Sequence, residues 1–469
     1  MNNKGDEVVN DFKSKFFSDA EIMKQKLGPA LCLAKWKQVS LHLTTGMNNS
    51  CYHPPLHRIS VDEIQKKPGA LHNTEHKKLQ RQMMLRGERP AECQYCWNME
   101  DLGEMSDRHY RSGEPWAAID FDRIANSTGN EDDVIPSYVE VNFNNACNLK
   151  CSYCSPQFSS SWADEINRHG AYPTSVPHNQ PDHFEGTRRV IPAREHNPYV
   201  DAFWEWWPKL YPELVHFRMT GGEPLMDRNT YRVFDYILEH DNPKLHINVT
   251  SNFSVEDALF EKYMDYAKRL CTPRIEHFMQ FVSLDSGKGA QAEYIRHGMS
   301  LDRVTHNVDR FLSDIPHRNS LTFIITMNNL SVTGFKDYME WILSLRRAHS
   351  TTYQRVWFDT PVLRQPVWQS LQILPESYAM QLEQAKDFML SNMTTEDNPL
   401  HGFKDFEVQR LERDIAWMRA GQQQNNSVAQ ADFYRFFSEH DQRRGTNFLQ
   451  AFPEMRAWWA ECEYHAKQY

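Results

Sequence analysis

The chain of 469 residues has no uninterrupted apolar stretch of the roughly 18 residues that a membrane-spanning helix needs. Its first residues, MNNKGDEVVNDFKSKFF, lack the apolar core of a signal peptide, so we expect cytoplasmic residence. The chain also lacks a basic excess, because 52 Lys and Arg stand against 62 Asp and Glu, a net charge of -10. A field of that sign disfavours non-specific binding to nucleic acid but leaves room for a nucleotide-sized substrate.

Cysteines are few, nine in all, and their distribution is uneven. In a reducing compartment, clustered cysteines are more often metal ligands or catalytic groups than disulfides. Cys271 and Cys462 stand alone, and we interpret them as buried or idle thiols. The other seven cysteines fall into groups or partial groups, namely Cys32 with Cys51, Cys93 with Cys96, and the trio Cys147, Cys151 and Cys154.

Short apolar strands alternate with helical stretches from about residue 136 onward. Strands alternating with helices predict a parallel sheet, either open or closed into a partial barrel. The interval 155–200 is long and has no clear periodicity, which is typical of a functional lid or an insertion. After Pro375 the chain becomes polar and helical. The predicted strands are 138–143, 214–219, 245–250, 278–284, 321–327 and 355–359.

The segment CNLKCSYC (147–154) directly follows the first of these strands and spaces its cysteines as C-x3-C-x2-C. Three thiolates in one tight loop can hold three corners of a cubane iron–sulfur cluster. The fourth iron then stays open to another ligand. Two alternatives remain: a zinc site completed by a histidine, and three cysteines packed by chance.

This segment resembles the signature of radical S-adenosylmethionine enzymes. The resemblance rests on Cys147, Cys151 and Cys154 and on the aromatic Tyr153 before the last cysteine. It implies a 4Fe-4S cluster whose open iron is chelated by the amino and carboxyl groups of S-adenosylmethionine. It further implies that one electron cleaves this cofactor to a 5′-deoxyadenosyl radical.

MTGGEP (219–224), at the end of the second strand, resembles the family's motif for the amino group of the cofactor. The resemblance assigns this contact to Gly221, Gly222 and Glu223. The glycines would allow a close approach of the backbone, and the glutamate would supply the charge. In isolation GGEP is merely a turn; at this position in the chain it supports the family resemblance.

Three further segments follow in the order expected of the family. Ser251 and Asn252 in TSNF resemble its polar pair near the cofactor, although the glycine often found after the asparagine is absent. Ser283 and Asp285 resemble its ribose- or carboxylate-contacting segment. Arg296 matches the arginine that pairs with the cofactor carboxylate, a contact that suits a bidentate guanidinium. Barrel enzymes place such residues at the carboxyl ends of their strands.

The resemblance covers about half of the chain and implies an α/β fold, a partial (β/α)6 TIM-like barrel. We assign residues 131–375 to this barrel, with an insertion at 155–200. Residues 1–130 precede it as a cysteine-rich module, and residues 376–469 form a helical C-terminal extension.

The N-terminal cysteines resemble those of a twitch module, which carries an auxiliary 4Fe-4S cluster. Twitch modules usually follow the barrel. The reversed order in this chain resembles that of twitch-containing radical S-adenosylmethionine proteins found in bacteriophage genomes. Zinc is the alternative, because four cysteines with a C-x2-C pair also suit a structural zinc site. His53 and His57 could replace a cysteine. The implied ligands of the auxiliary cluster are Cys32, Cys51, Cys93 and Cys96.

The reaction implied by the resemblance is hydrogen-atom abstraction from a substrate by the 5′-deoxyadenosyl radical. The bacteriophage-type architecture favours an isomerisation or rearrangement of an amino-acid-modified nucleobase during thymidine hypermodification of DNA. Relatives with auxiliary clusters favour a peptide cross-linking or epimerising enzyme instead. A zinc-stabilised binding protein without catalysis is the third possibility. The enzyme interpretations require a one-electron reductant of the flavodoxin or ferredoxin type, and a bacteriophage protein would work in the host cytoplasm.

Overall fold

A computed structural model of the protein describes residues 18–176, 189–315 and 318–469. Its centre is a mostly parallel sheet in the order β11-β10-β8-β7-β6-β4-β1-β2-β3, and β5 and β9 form a separate pair. The strands are β1 Gln38–His42, β2 Met47–Asn49, β3 His57–Arg58, β4 Tyr138–Asn142, β5 Lys150–Cys151, β6 His216–Thr220, β7 His246–Ser251, β8 His277–Ser283, β9 Arg296–His297, β10 Asn319–Ile324 and β11 Val356–Asp359.

The six predicted strands correspond to β4, β6, β7, β8, β10 and β11, and all pairs among them are parallel. The mixed α/β class is therefore confirmed. The sheet has one more parallel strand than expected, because β1 from the N-terminal region pairs with β4, Val39 opposite Val139. Within the described residues β11 and β3 are the two edges of the sheet, so closure into a partial barrel stays a prediction.

Helices connect the strands and cover one face of the sheet. A representative one is Arg228–Glu239, which begins with an N-cap: the Asp227 carboxylate accepts the Asn229 backbone N–H at 2.8 Å. Val233, Phe234 and Ile237 are buried on its inner side. The helices from the cysteine loop to β11 are Ser160–His169, Pro198–Leu210, Arg228–Glu239, Asp257–Leu270, Gly289–Ile295, Leu301–Asp314 and Phe335–His349.

The regions before and after the parallel strands are mainly helical. The predicted insertion 155–200 contains the helix Ser160–His169, and its residues 177–188 lie outside the described part of the chain. Residues 18–26 are helical, and the further helices are Ala34–Lys37, Val61–Lys66, Glu75–Leu85, Gln94–Asp101, Asp107–Gly113, Pro115–Ala118, Phe121–Ala125, Ala379–Leu390, Asp405–Ala420, Ser427–Arg444, Phe448–Ala451 and Arg456–Gln468.

A buried ion pair joins the C-terminal helices to the sheet layer. Arg346 donates to both carboxylate oxygens of Glu407, at 2.6 and 3.1 Å, and neither side chain is exposed. Such a bidentate pair is specific in its geometry. It therefore fixes how the helix Asp405–Ala420 docks. Among the described residues, no helix has the length and apolar character needed to cross a membrane.

Candidate functional site

The cysteine loop lies at the carboxyl end of β4 and is held by backbone contacts on two sides. Cys151 pairs with Arg296 in the short β5–β9 ladder. The Trp162 indole donates to the Cys151 carbonyl at 2.8 Å, and the Ser161 hydroxyl donates to the Cys147 carbonyl at 2.7 Å. The helix Ser160–His169 thus holds the loop that carries the three thiols through these hydrogen bonds.

The three thiols lie close to one another. Burial raises the pKa of Cys147 well above its usual value, and the charges of Cys151 and Cys154 raise it further. Burial likewise raises the pKa of Cys154 to about 12. Among the described residues, no three or more His, Cys, Asp or Glu side chains stand in a ready-made metal shell.

The donor set of this loop fits an iron–sulfur cluster with an open corner. Its ligands are sulfur only and number three, whereas a structural metal site usually has four. Two N–H groups already point at the sulfurs: the Leu149 backbone N–H lies 3.5 Å from Cys147 Sγ, and Arg296 Nη1 lies 3.6 Å from Cys151 Sγ. Such donors stabilise thiolates.

The two glycines of MTGGEP allow that turn to pack directly on the cysteine loop. A Cβ on Gly222 would lie 2.3 Å from the Ala146 carbonyl oxygen, and one on Gly221 would lie 2.6 Å from the Asn142 side chain. Gly221 also has a φ of 124°, which favours glycine. The Glu223 backbone N–H then donates to the Ala146 oxygen at 2.7 Å.

Glu223 is a buried carboxyl group that joins three of the predicted motifs. Its Oε2 accepts the Asn252 backbone N–H at 2.8 Å, its Oε1 accepts that of Leu225 at 3.0 Å, and it also bonds the Ser251 side chain. Burial raises its pKa to about 7. The Asn252 amide in turn donates to Asn148 Oδ1 at 2.8 Å, within the cysteine loop.

The residue that stands where the family often has glycine adopts the backbone conformation that favours glycine. Phe253 has a φ of 57° and no exposed surface. Its ring packs edge-on against Phe260, Tyr263 and Phe311. Core packing therefore holds the left-handed turn after Asn252, and the departure from the family pattern leaves the turn in place.

Tyr153, Asp285 and Arg296 form a buried network beside Cys151. The Tyr153 hydroxyl donates to Asp285 Oδ2 at 2.8 Å, and Arg296 Nη2 lies 2.5 Å from the Tyr153 oxygen and 3.1 Å from Asp285 Oδ1. Asp285 thus already compensates the guanidinium that was predicted to bind a cofactor carboxylate, and that role stays a prediction. Ser283, at the end of β8, lies half-buried on the other side of the strand from Val282.

Gln369, which follows β11, and Arg444 of the C-terminal extension contact the cysteine loop, and the sequence motifs did not indicate these contacts. Arg444 has a fully buried side chain that donates to the Lys150 carbonyl at 2.8 Å and pairs with Glu165 at 3.0 Å. Gln369 exchanges hydrogen bonds with both the side chain and the carbonyl of Ser152. No local pattern could have identified these contacts, because they join residues more than 200 positions apart.

The four N-terminal cysteines come together around one small cavity of about 20 Å³. Charges of Cys32 and Cys51 each raise the pKa of Cys93 and of Cys96, after burial as the main cause. Lys35 and Arg108 also line the cavity, but they form ion pairs with Glu92 and Glu100. The fit of this cavity to a metal centre therefore rests on its four sulfur donors. Four sulfur donors suit both 4Fe-4S and zinc.

The histidines near this cavity have partners of their own. His53 lines the cavity and pairs with Asp107. His57 contacts the Thr74 hydroxyl at 3.1 Å, and burial lowers its pKa to about 3. Tyr52, directly after Cys51, also lines the cavity, and its hydroxyl lies 3.2 Å from both the Tyr138 hydroxyl and Glu140 Oε2 on β4. The auxiliary cysteine site therefore adjoins the central sheet.

No family model matches the chain, and no curated protein matches it. Solved structures that resemble it include native anSMEcpe with bound AdoMet, at 13% identity and a TM-score of 0.32, covering 53% of this chain and 58% of that one. SuiB of Streptococcus suis bound to S-adenosylmethionine has 12% identity, a TM-score of 0.34 and coverages of 76% and 69%. SuiB bound to the precursor peptide SuiA has 10% identity, a TM-score of 0.31 and coverages of 67% and 62%. At these TM-scores the likenesses carry no functional argument.

Proposed function

We propose that the protein is a radical S-adenosylmethionine enzyme that rearranges an amino-acid-modified nucleobase by hydrogen-atom abstraction. One observation carries the enzyme class: three thiols of one loop, one buried and two half-buried, lie beside Glu223 and Arg296 at the carboxyl edge of a parallel sheet. A 4Fe-4S cluster on these thiolates, when bound, supplies the electron that cleaves S-adenosylmethionine to the 5′-deoxyadenosyl radical.

The residues of the chain have separate tasks in this scheme. Cys147, Cys151 and Cys154 would hold the cluster. Glu223, with its pKa near 7 and two backbone N–H donors fixing its orientation, would accept a hydrogen bond from the cofactor amino group. The Tyr153–Asp285–Arg296 network would hold the cysteine loop in position, since Arg296 contacts Cys151 Sγ. Burial of this region excludes water from a reactive radical.

The auxiliary cysteines would hold a second 4Fe-4S cluster next to the sheet. Four thiolates close a cluster, so this centre would pass electrons or stabilise the fold rather than bind substrate. Tyr52, the residue after Cys51, connects this region to Glu140 on β4. An electron and a proton delivered to the product radical would complete a redox-neutral rearrangement of the substrate, which is the outcome that we propose.

Iron and sulfide analysis of anaerobically reconstituted protein tests the enzyme class. With dithionite and S-adenosylmethionine, the protein is expected to release 5′-deoxyadenosine. Cys151→Ala should abolish this product, whereas Cys271→Ala, the matched change at a lone cysteine, should not. Cys96→Ala should lose the auxiliary iron and keep the first cluster. A colourless, zinc-containing protein without product would overturn the proposal in favour of a binding protein.

The substrate class needs a second assay. Release of 5′-deoxyadenosine is compared with DNA that carries amino-acid-modified thymidine, with unmodified DNA and with candidate peptides. Deuterium on the amino-acid carbon of the modified base should appear in 5′-deoxyadenosine. Stimulation and label transfer from peptides alone would contradict the nucleobase assignment and favour a peptide-modifying enzyme.

A further inference from the structure

The parallel sheet has one largely polar face, part of which is half-exposed. Parallel strands are usually buried on both faces and apolar throughout. Here β6 and β8 alternate strictly between buried and half-buried residues. Val139, Phe217 and Phe278 face the helices, whereas most residues of the opposite face are polar, with Tyr138, Met279 and Phe281 among them. The half-exposed polar residues of that face are Glu140, His216, Arg218, Thr220, His246, Thr250 and His277.

Glu140 and Arg218 are the charged pair of this face. They lie opposite each other on β4 and β6, and Arg218 Nη1 is 3.6 Å from Glu140 Oε2, longer than a direct hydrogen bond. Their side chains are 15% and 21% exposed, so a ligand can reach them while most water is excluded. Burial lowers the pKa of His216 to about 3 and that of His277 to about 4, so these neighbours are neutral at pH 7.

The surroundings hold both charges in place. Arg218 Nε and Nη2 donate to the Thr250 hydroxyl at 3.2 Å, and the guanidinium lies 4.4 Å from the centre of the Phe281 ring. Glu140 Oε2 accepts the Tyr52 hydroxyl at 3.2 Å. Each charged group is thus oriented by a neutral neighbour.

The pair lies between the two cysteine sites. Glu140 and Arg218 are each two residues before the carboxyl ends of their strands, Asn142 and Thr220, which is about 7 Å below that edge. The cysteine loop and MTGGEP begin at the edge, and Tyr52 links Glu140 to the auxiliary cysteine Cys51. A group bound here is therefore within reach of chemistry at the edge.

We infer that Glu140 and Arg218 bind the ammonium and the carboxylate of an α-amino acid group on the substrate. A guanidinium binds a carboxylate in a bidentate manner, and Glu140 supplies the counter-charge for an ammonium. Glu140 and Arg218 compensate each other in the free protein. A group that carries both charges therefore adds no net charge to this poorly hydrated site, whereas a ligand with one charge would add a charge without compensation. A residue inside a peptide carries neither backbone charge. This inference rests on the proposed function and specifies its substrate.

Anaerobic calorimetry on the reconstituted holoprotein, saturated with S-adenosylmethionine, tests the inference. The probe is 5-(2-amino-2-carboxyethyl)-2′-deoxyuridine, compared with its N-acetyl and its methyl ester derivatives. Both derivatives should bind the unaltered protein roughly tenfold more weakly or worse, the size of a lost charge-assisted hydrogen bond. Saturation with S-adenosylmethionine prevents the probe from binding where the methionyl group of the cofactor binds.

Two variants assign the contacts. Glu140→Gln should abolish the preference for the free amine over the N-acetyl derivative, and Arg218→Gln should abolish the preference for the free acid over the ester. Glu261→Gln, at the exposed ion pair with Arg310, is the control that should retain both preferences. The comparison of the probe with its two derivatives on the unaltered protein tests the charge preference directly. The inference therefore stays testable even if a variant misfolds.

Equal binding of the probe and both derivatives to the unaltered protein would overturn the inference. So would binding of an internal peptide segment as tightly as the probe. The proposed function is read out separately, by release of 5′-deoxyadenosine from S-adenosylmethionine with dithionite alone. Its absence defeats the proposed function, whereas its presence without charge-selective binding defeats the inference only.

Discussion

Replacing Gly222 by alanine should separate the two loops that build the site. The added Cβ would lie 2.3 Å from the Ala146 oxygen and 2.7 Å from the Asn145 carbonyl carbon. Both contacts are with backbone, so no side chain can rotate away. Contacts below 3.0 Å are essentially not seen, so the loops must part by at least 0.7 Å, the difference between 3.0 and 2.3 Å.

A shift of that size weakens the connection between the glutamate and the cysteine loop. If the 0.7 Å shift lies along the hydrogen bond from Glu223 N to Ala146 O, the N–O distance increases from 2.7 Å to about 3.4 Å. That distance is beyond the usual range for an N–H···O hydrogen bond. Overpacking of this kind costs about 1–3 kcal/mol of unfolding free energy. We expect less iron per chain and less 5′-deoxyadenosine, because Cys147 directly follows the displaced residue.

The assay measures iron per chain, product yield and thermal midpoint for Gly222→Ala. Gly289→Ala is the control, because its Cβ would meet one side-chain atom at 3.9 Å. Full iron content and product yield in Gly222→Ala, at an unchanged midpoint, would refute the reasoning. It would mean that the turn and the cysteine loop do not need their close backbone contact.

Three further predictions concern stability. Glu407→Ala should lower the unfolding free energy in urea by about 3–5 kcal/mol, since it leaves Arg346 buried without a counter-charge; an unchanged midpoint would argue against the pair. Phe253→Gly should destabilise despite relief of its left-handed strain of about 1–2 kcal/mol, because the lost aromatic packing is worth about 3–5 kcal/mol; a stabilised variant contradicts this. Burial raises the pKa of Asp414 to about 7, so its ionisation costs stability as pH rises from about 4 through 7. Asp414→Asn should therefore raise the melting temperature at pH 8 and not at pH 3.5; equal shifts at both pH values would exclude this origin.

Much of the parallel sheet and of the site could be predicted from short segments. Alternating apolar residues in YVEVNF and the following runs indicated the six strands, because side-chain alternation is a local property of a strand. The cysteine spacing and GGEP indicated the loops at the strand ends. Parallel strands end at the same edge, and the family resemblance of the motifs implied that Glu223, Asn252 and Arg296 contact one cofactor there, a role that stays a prediction.

The strand β1 could not be predicted from local patterns. QVSLH was not predicted as a strand of the sheet, because its partner β4 lies about 100 residues further along the chain. The same holds for Arg444, whose partners Lys150 and Glu165 belong to the cysteine loop and its helix. A charged side chain in a helix carries no local sign of which distant carbonyl it will contact.

The sequence by itself determined which side chains are available for the proposed chemistry, because ligand type, spacing and strand alternation are local properties of consecutive residues. Only the tertiary structure decided how that chemistry is surrounded. It brought Cys32, Cys51, Cys93 and Cys96 around one cavity, paired Arg296 with Asp285, and set Glu140 beside Arg218 on an accessible face. These arrangements depend on which strands become neighbours, and that choice is made by the packing of the whole chain.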